Sequence, residues 1–88
     1  MEITKRASAG TMESSDAYVE IEPAESLEVH IESVVEKQFG DRIRSAVSEV
    51  LGELGVEAAS VRVVDRGALE CVIRARVETA AKRSGGEA

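Results

Sequence analysis

At 88 residues the chain has room for one domain, near the lower size at which an apolar core holds a fold without disulfides or a metal. A formal charge of −6 and a scarcity of aromatics, Tyr18 and Phe39 with no Trp, argue against phosphate-backbone binding and base stacking, so no nucleic-acid partner is expected. The lone Cys71 excludes an internal disulfide, the lone His30 lacks companions for a zinc site, and no apolar run is long enough to span a bilayer; a cytoplasmic setting without membrane association is expected.

The residues from Arg6 to Met12 are small or tolerant of extended backbone, and Ala17 to Ile21 alternate, with Val19 and Ile21 on one face and Tyr18 and Glu20 on the other. Glu13-Ser14-Ser15-Asp16 between them reads as a hairpin turn. Pro23 ends the second strand, and Leu27, Val29 and Ile31 then alternate with Glu28, His30 and Glu32 in the cleanest period-two pattern of the chain. Ser33-Val34-Val35-Glu36 matches a capping box, and Val35, Phe39, Ile43, Val47, Val50 and Leu54 follow in one stripe at helical spacing. Gly40 is a poor helix former and leaves the helix start open between the capping box and Asp41; Gly55 supplies the stop.

Val61 and Val63 mark a short buried strand that ends at the turn signal Asp65-Arg66-Gly67. The segment 68–83 fits either period: a strand would align Leu69, Cys71, Ile73, Ala75 and Val77, a helix Leu69, Val72, Ile73, Val77 and Ala80. Its length, the Ala80-Ala81 pair and the basic last turn at Lys82-Arg83 favour the helix. The expected fold is α+β: a two-layer sandwich whose small mixed sheet, an N-terminal hairpin plus a β-α-β unit with parallel strands, is covered on one face by two helices. Residues 1–83 form the single domain and 84–88 a disordered tail.

Catalytic equipment is sparse. His30 lies on the polar face of a strand beside Glu28 and Glu32, and a solvated imidazole is the plainer reading than a general base. Glu20 with Glu22 and Glu28 with Glu32 have no pocket in view that would raise a carboxyl pKa, and Gly52 and Gly55 lack the spacing of a phosphate loop. Cys71 faces away from the apolar stripe on the helical reading and has no cationic setting to activate it beyond Arg74 one turn on. The hydroxyls of Ser14 and Ser15 remain, for which ordinary turn chemistry is the competing explanation.

Three blocks change that balance: Ala-Gly-Thr-Met-Glu-Ser-Ser-Asp at 9–16, Ser-Val-Val-Glu-Lys-Gln-Phe-Gly-Asp at 33–41, and Asp-Arg-Gly-Ala-Leu-Glu-Cys-Val-Ile-Arg-Ala-Arg-Val-Glu at 65–78. In this order and spacing they resemble the acyl carrier protein, or gamma subunit, of citrate lyase. The resemblance implies a non-catalytic carrier subunit of a multi-subunit lyase. It further implies that Ser14 bears a covalently attached 2'-(5''-phosphoribosyl)-3'-dephospho-CoA group, whose thiol holds acetyl or citryl as a thioester while citrate is cleaved to acetate and oxaloacetate. The partners so implied are the alpha and beta subunits, a prosthetic-group transferase and an acetylating ligase. Ser15 stands where the family pattern often has Gly, so two adjacent hydroxyls are on offer; register with Glu13 favours Ser14 as the attachment residue over Ser15.

A phosphopantetheine carrier is imitated by Glu25-Ser26-Leu27, but the period-two pattern after Ser26 opens a strand and a four-helix fold does not fit. The acyl carrier subunit of malonate decarboxylase, which resembles this family in prosthetic group and fold, and an unmodified α+β interaction domain remain as alternatives. The Glu-Lys-Gln-Phe-Gly-Asp block argues for the citrate enzyme.

Overall fold

The computed structural model describes residues 1–34 and 36–85, with the side chains of 36–39 left out. Its elements follow in the expected order: β1 (Ala7–Gly10), β2 (Ala17–Glu22), β3 (Leu27–Ser33), α1 (Glu36–Glu53), β4 (Ala59–Asp65) and α2 (Glu70–Ser84). The strands form one sheet in the order β1-β2-β4-β3. Antiparallel pairing joins β1 to β2 and β2 to β4, and parallel pairing joins β3 to β4. The β-α-β unit therefore has the parallel strands expected of it, and β4 lies between its partner β3 and the hairpin strand β2.

Alternation along the strands sorts side chains to two faces. Ala17, Val19 and Ile21 of β2 and Ala59, Val61 and Val63 of β4 are buried against Ile43, Val47 and Leu51 of α1 and Ile73, Val77, Ala80 and Ala81 of α2. Both helices cover this one face, α1 beside β3 and α2 beside β1 and β2. The opposite face carries Glu20, Arg62, His30 and Glu32, laced by ion pairs from Arg6 to Glu20 at 2.6 Å and from Arg62 to Glu20 at 3.2 Å and to Glu32 at 3.7 Å. The Arg6 hydrogen bond, reinforced by Arg62, holds the Glu20 carboxyl below its ordinary pKa, the reverse of what a general acid near neutral pH requires.

Helix α1 starts at Glu36, so Gly40 lies inside it. The capping-box reading falls partly on Val35 and the side chain of Glu36, outside the described residues; the Ser33 hydroxyl donates to Asp65 Oδ2 at 2.7 Å. At its other end, Gly55 adopts φ +70, Val56 N donates to the Leu51 carbonyl at 2.9 Å, and Gly55 N to that of Gly52 at 3.1 Å. This is a Schellman motif, in which a left-handed residue lets the chain turn back onto the last carbonyls.

The segment with two possible periods is a helix. It buries Ile73, Val77, Ala80 and Ala81 and leaves Cys71 and Ala75 exposed, where a strand would have put both in the core. Ser84, placed in the tail by the sequence reading, is instead the last residue of α2 and fully buried. Its carbonyl accepts from Thr4 N at 3.1 Å and Lys5 N at 3.3 Å, and its hydroxyl donates to the Lys5 carbonyl. A small residue is needed at this crossing of the N-terminal segment over α2, which hydrophobicity patterns do not reveal. Residues 86–88 of the expected tail lie outside the described residues.

Candidate functional site

Everything of interest gathers at one end of the sheet, where the β1–β2 turn, the β3–α1 junction and the β4–α2 loop meet. Within the turn, Asp16 N donates to the Glu13 carbonyl at 3.1 Å, closing the four residues Glu13 to Asp16. Ser15, third of the four, has φ +67. Positive φ at the third position is the mark of a type II turn, and it is the conformation that glycine takes without steric cost. Ser14 and Ser15 are both exposed, and Ser14 is carried on backbone with ordinary negative φ.

The turn is held from three sides. Ser15 N donates to the Arg66 carbonyl and Arg66 N to the Asp16 carbonyl, both at 2.9 Å, so two reciprocal bonds bind it to the β4–α2 loop. Within the turn, the Thr11 hydroxyl donates to Asp16 Oδ2 at 2.7 Å while accepting from Glu13 N at 3.2 Å, and Ala17 N donates to Asp16 Oδ1 at 2.7 Å. From α2, sixty residues away in sequence, Arg76 grips both Asp16 oxygens at 3.1 Å through Nε and a terminal nitrogen. Such a two-pronged guanidinium–carboxylate pair fixes orientation as well as distance.

Asp16 is therefore engaged within the fold rather than presented to partners. Its carboxylate is the internal fastener of the tip, and Glu13, exposed, is the acidic side chain left facing solvent there. The Thr11 hydroxyl, the Ala17 amide and the Arg76 guanidinium together lower the Asp16 pKa from 3.8 to about 2. A folded-state pKa below the unfolded one means that the unfolded chain takes up the proton more readily. The stabilisation is thus complete above the ordinary value and is lost as pH falls from 3.8 through about 2. Urea unfolding at pH 5 and pH 2.5 should show a smaller acid loss for Asp16→Asn than for the parent; equal losses would mean that this carboxylate does not fasten the tip.

Gly10 makes the approach possible. It has φ +91, and a Cβ on it would lie 1.9 Å from the Ala17 carbonyl oxygen and 3.0 Å from Arg76 Cδ. The neighbouring junction is organised by Asp65, which is 2% exposed. Asp65 Oδ1 accepts from Gly67 N at 3.1 Å and Ala68 N at 2.8 Å, Oδ2 from the Ser33 hydroxyl, and its carbonyl from Val34 N at 3.3 Å. One buried carboxylate thereby joins the β3–α1 and β4–α2 connections, and Arg66 joins these to the serine turn.

Ser14 and Ser15 stand out in the sequence, whereas the parts played by Arg76, Asp65 and Thr11 emerge only in the fold. Arg76 stands in the Arg-Ala-Arg run of the third motif block, which was the available signal; its partner could not be read without the fold. His30 is exposed on the open sheet face, away from the turn, and Cys71 is exposed on α2. The structure brings neither to the serines.

The exposed serine hydroxyls stand on a braced turn of a small α+β scaffold, and comparison with known proteins gives the class. A family model described as ACP: Malonate decarboxylase delta subunit (MdcD) matches residues 4–84, which places the chain among acyl carrier subunits. A chain in the crystal structure of a Pseudomonas malonate decarboxylase hetero-tetramer in complex with malonate shares the fold, with a TM-score of 0.83 at 24% identity over 94% of this chain and 87% of that one. Closer in sequence are citrate lyase acyl carrier proteins. That of Haemophilus influenzae strain PittEE is 55% identical over 99% of this chain and 92% of its own length. That of Albidiferax ferrireducens is 49% identical over 99% and 91%. The chain belongs to the citrate lyase acyl carrier protein family.

Proposed function

We propose that this protein is the carrier subunit of a cytoplasmic citrate lyase, with Ser14 the residue to which 2'-(5''-phosphoribosyl)-3'-dephospho-CoA is joined through a phosphodiester. The observation that carries this reading is the exposed Ser14 hydroxyl on a turn clamped by Arg66 and by the Asp16–Arg76 pair. The residues present fit such a group. Ser14 is open to solvent, and the exposed Arg66 beside it forms no ion pair among the described residues and can offset a phosphodiester's charge. Position 15, with its positive φ, suits glycine, so the turn needs no side chain there.

When bound, the group supplies a thiol that carries acyl chains as thioesters. The chain's own part is mechanical: Ser14 gives its oxygen to the linkage, and the clamped turn fixes where the tether begins. Because the tether's origin is fixed, encounter with each active site becomes effectively intramolecular, which raises local concentration without further contacts. The partners in this reading are the alpha subunit, which exchanges acetyl for citrate, and the beta subunit, which cleaves the citryl thioester. A transferase and an acetylating ligase prepare the carrier.

The description of the matching family model and the shared fold favour, as a second reading, the carrier of a malonate decarboxylase. Identity of about half the residues with citrate lyase carriers over nearly full length weighs against it. Intact-mass measurement of the protein from its own host, grown on citrate, should show a nucleotide-containing adduct localised by peptide fragmentation to Ser14. Adduct-free protein in cells with active citrate lyase would refute the carrier reading.

A further inference from the structure

Leu69 breaks a local rule. It is the N-cap of α2, with φ −68 and ψ 153, yet it makes no side-chain cap hydrogen bond, and it is 71% exposed. Ser, Thr, Asp or Asn at this position would satisfy a free amide of the first turn, so an exposed leucine here sacrifices helix stability. Local rules are broken most often where a residue serves something other than the fold.

Leu69 forms one wall of a groove of about 450 Å³ between α1 and the β4–α2 loop. Ile43, Ala68 and Ile73 give it an apolar wall, the buried Asp65 and Gly67 border it from the β4–α2 loop, and Arg42 and Glu70 complete the lining. Arg42 is 74% exposed and held only loosely, 3.9 Å from Glu70. One loop connects the groove to the serine turn: Gly67, which lines the groove, follows Arg66 directly, and Arg66 exchanges both backbone hydrogen bonds with Ser15 and Asp16. A flexible chain fixed at Ser14 starts one loop from this groove, with the exposed Arg66 in that loop and Arg42 in the groove's lining, on a protein whose net charge is −6.

We infer that this groove is the resting berth of the arm attached at Ser14: the acyl-bearing end lies against Leu69, Ile43 and Ala68, and Arg66 and Arg42 take the phosphates. The inference rests on the carrier reading above. It assigns the apolar N-cap a purpose, which is to shield the thiol and its thioester from water between visits to the partner subunits. The groove offers the thioester end an apolar wall, and its two carboxylates are already engaged, Asp65 by the Gly67 and Ala68 amides and the Ser33 hydroxyl, Glu70 by Arg74 and Arg42.

The test uses holo protein from the host carrying Cys71→Ala, so that the arm supplies the one thiol, with the adduct on Ser14 verified by mass. After deacetylation, alkylation by iodoacetamide should run about fivefold slower than for free coenzyme A, as for an arm docked in most molecules at any moment. Leu69→Ser should restore the free rate while raising the melting temperature, because serine caps the helix. Amide NMR shifts of Ile43 and Ala68 should differ between apo and holo protein, and the difference should vanish in Leu69→Ser. Alkylation at the free rate with the adduct in place overturns the berth and leaves the carrier reading standing, as does a lower melting temperature in Leu69→Ser. Absence of any adduct on Ser14 overturns both. Protection that appears only after a partner subunit is added assigns the groove to that subunit and overturns the berth.

Discussion

Ser14→Ala is expected to abolish loading entirely, with no adduct detectable by intact mass and no citrate cleavage by a complex assembled with the variant. Folding should be unaffected to within about 0.5 kcal/mol, because Ser14 is exposed and its side chain makes no hydrogen bond among the described residues. This separation of effects matters, since a loss of loading that accompanied unfolding would say nothing about attachment. Ser15→Gly is the paired control. It places glycine at φ +67, relieving the left-handed strain of a residue with a Cβ, and the gain is partly offset by the greater freedom of glycine in the unfolded chain. Loading should persist with stability unchanged or raised by about 1 kcal/mol. If Ser14→Ala remained loaded and Ser15→Gly did not, the attachment residue would be Ser15. If both were silent in an otherwise active complex, the chain would be an unmodified interaction domain.

Gly10→Ala should produce the largest loss of stability of any small substitution at the tip. Alanine would be forced to hold φ +91 with its methyl carbon 1.9 Å from the Ala17 carbonyl oxygen. The obstacle is backbone of the paired strand, and Gly10 sits in register with Tyr18, so relief requires strand separation or displacement of the turn. Left-handed strain of about 1–2 kcal/mol combined with this clash gives an expected cost of about 3 kcal/mol or more. For a domain of this size that corresponds to a fall in melting temperature of roughly 12 °C or more. Chemical denaturation measures it directly. A loss below about 1 kcal/mol would show that the turn shifts freely, contrary to the clamp by Arg66 and Arg76.

The exposed turn and its serines were legible because two alternating runs flank a cluster of turn-forming residues, a signal confined to about a dozen neighbours. The strand from Leu27, the helix closed by Gly55 and the buried Val61–Val63 strand were legible for the same reason. The 68–83 segment fitted both periods, and length and end charges were the only local evidence favouring a helix. Its docking against β1 and β2, which buries Ile73, Val77 and Ala80 and exposes Cys71, is what makes the helix the stable choice.

The fasteners of the site were not legible. Asp16 reads in the sequence as one residue of a hairpin turn, yet its guanidinium partner Arg76 is sixty residues away. Asp65 looked like a turn former and is a buried hub whose four hydrogen bonds hold two loops. Ser84 looked like tail because small polar residues follow it. In each case a polar residue is defined by a partner distant in the chain, and polarity patterns carry no information about which distant group will meet it.

The order of the elements, the type of the first five and the exposed serine pair follow from periodicity and local turn chemistry, and so are written in the sequence alone. The position of β4 between β2 and β3, the convergence of Arg66 and Arg76 on the serine turn, and the uncapped Leu69 beside a groove with an apolar wall emerge with the folded chain. Those facts depend on which distant segments share a sheet or a loop junction, and that is settled by burying one core at once rather than by any residue's neighbours.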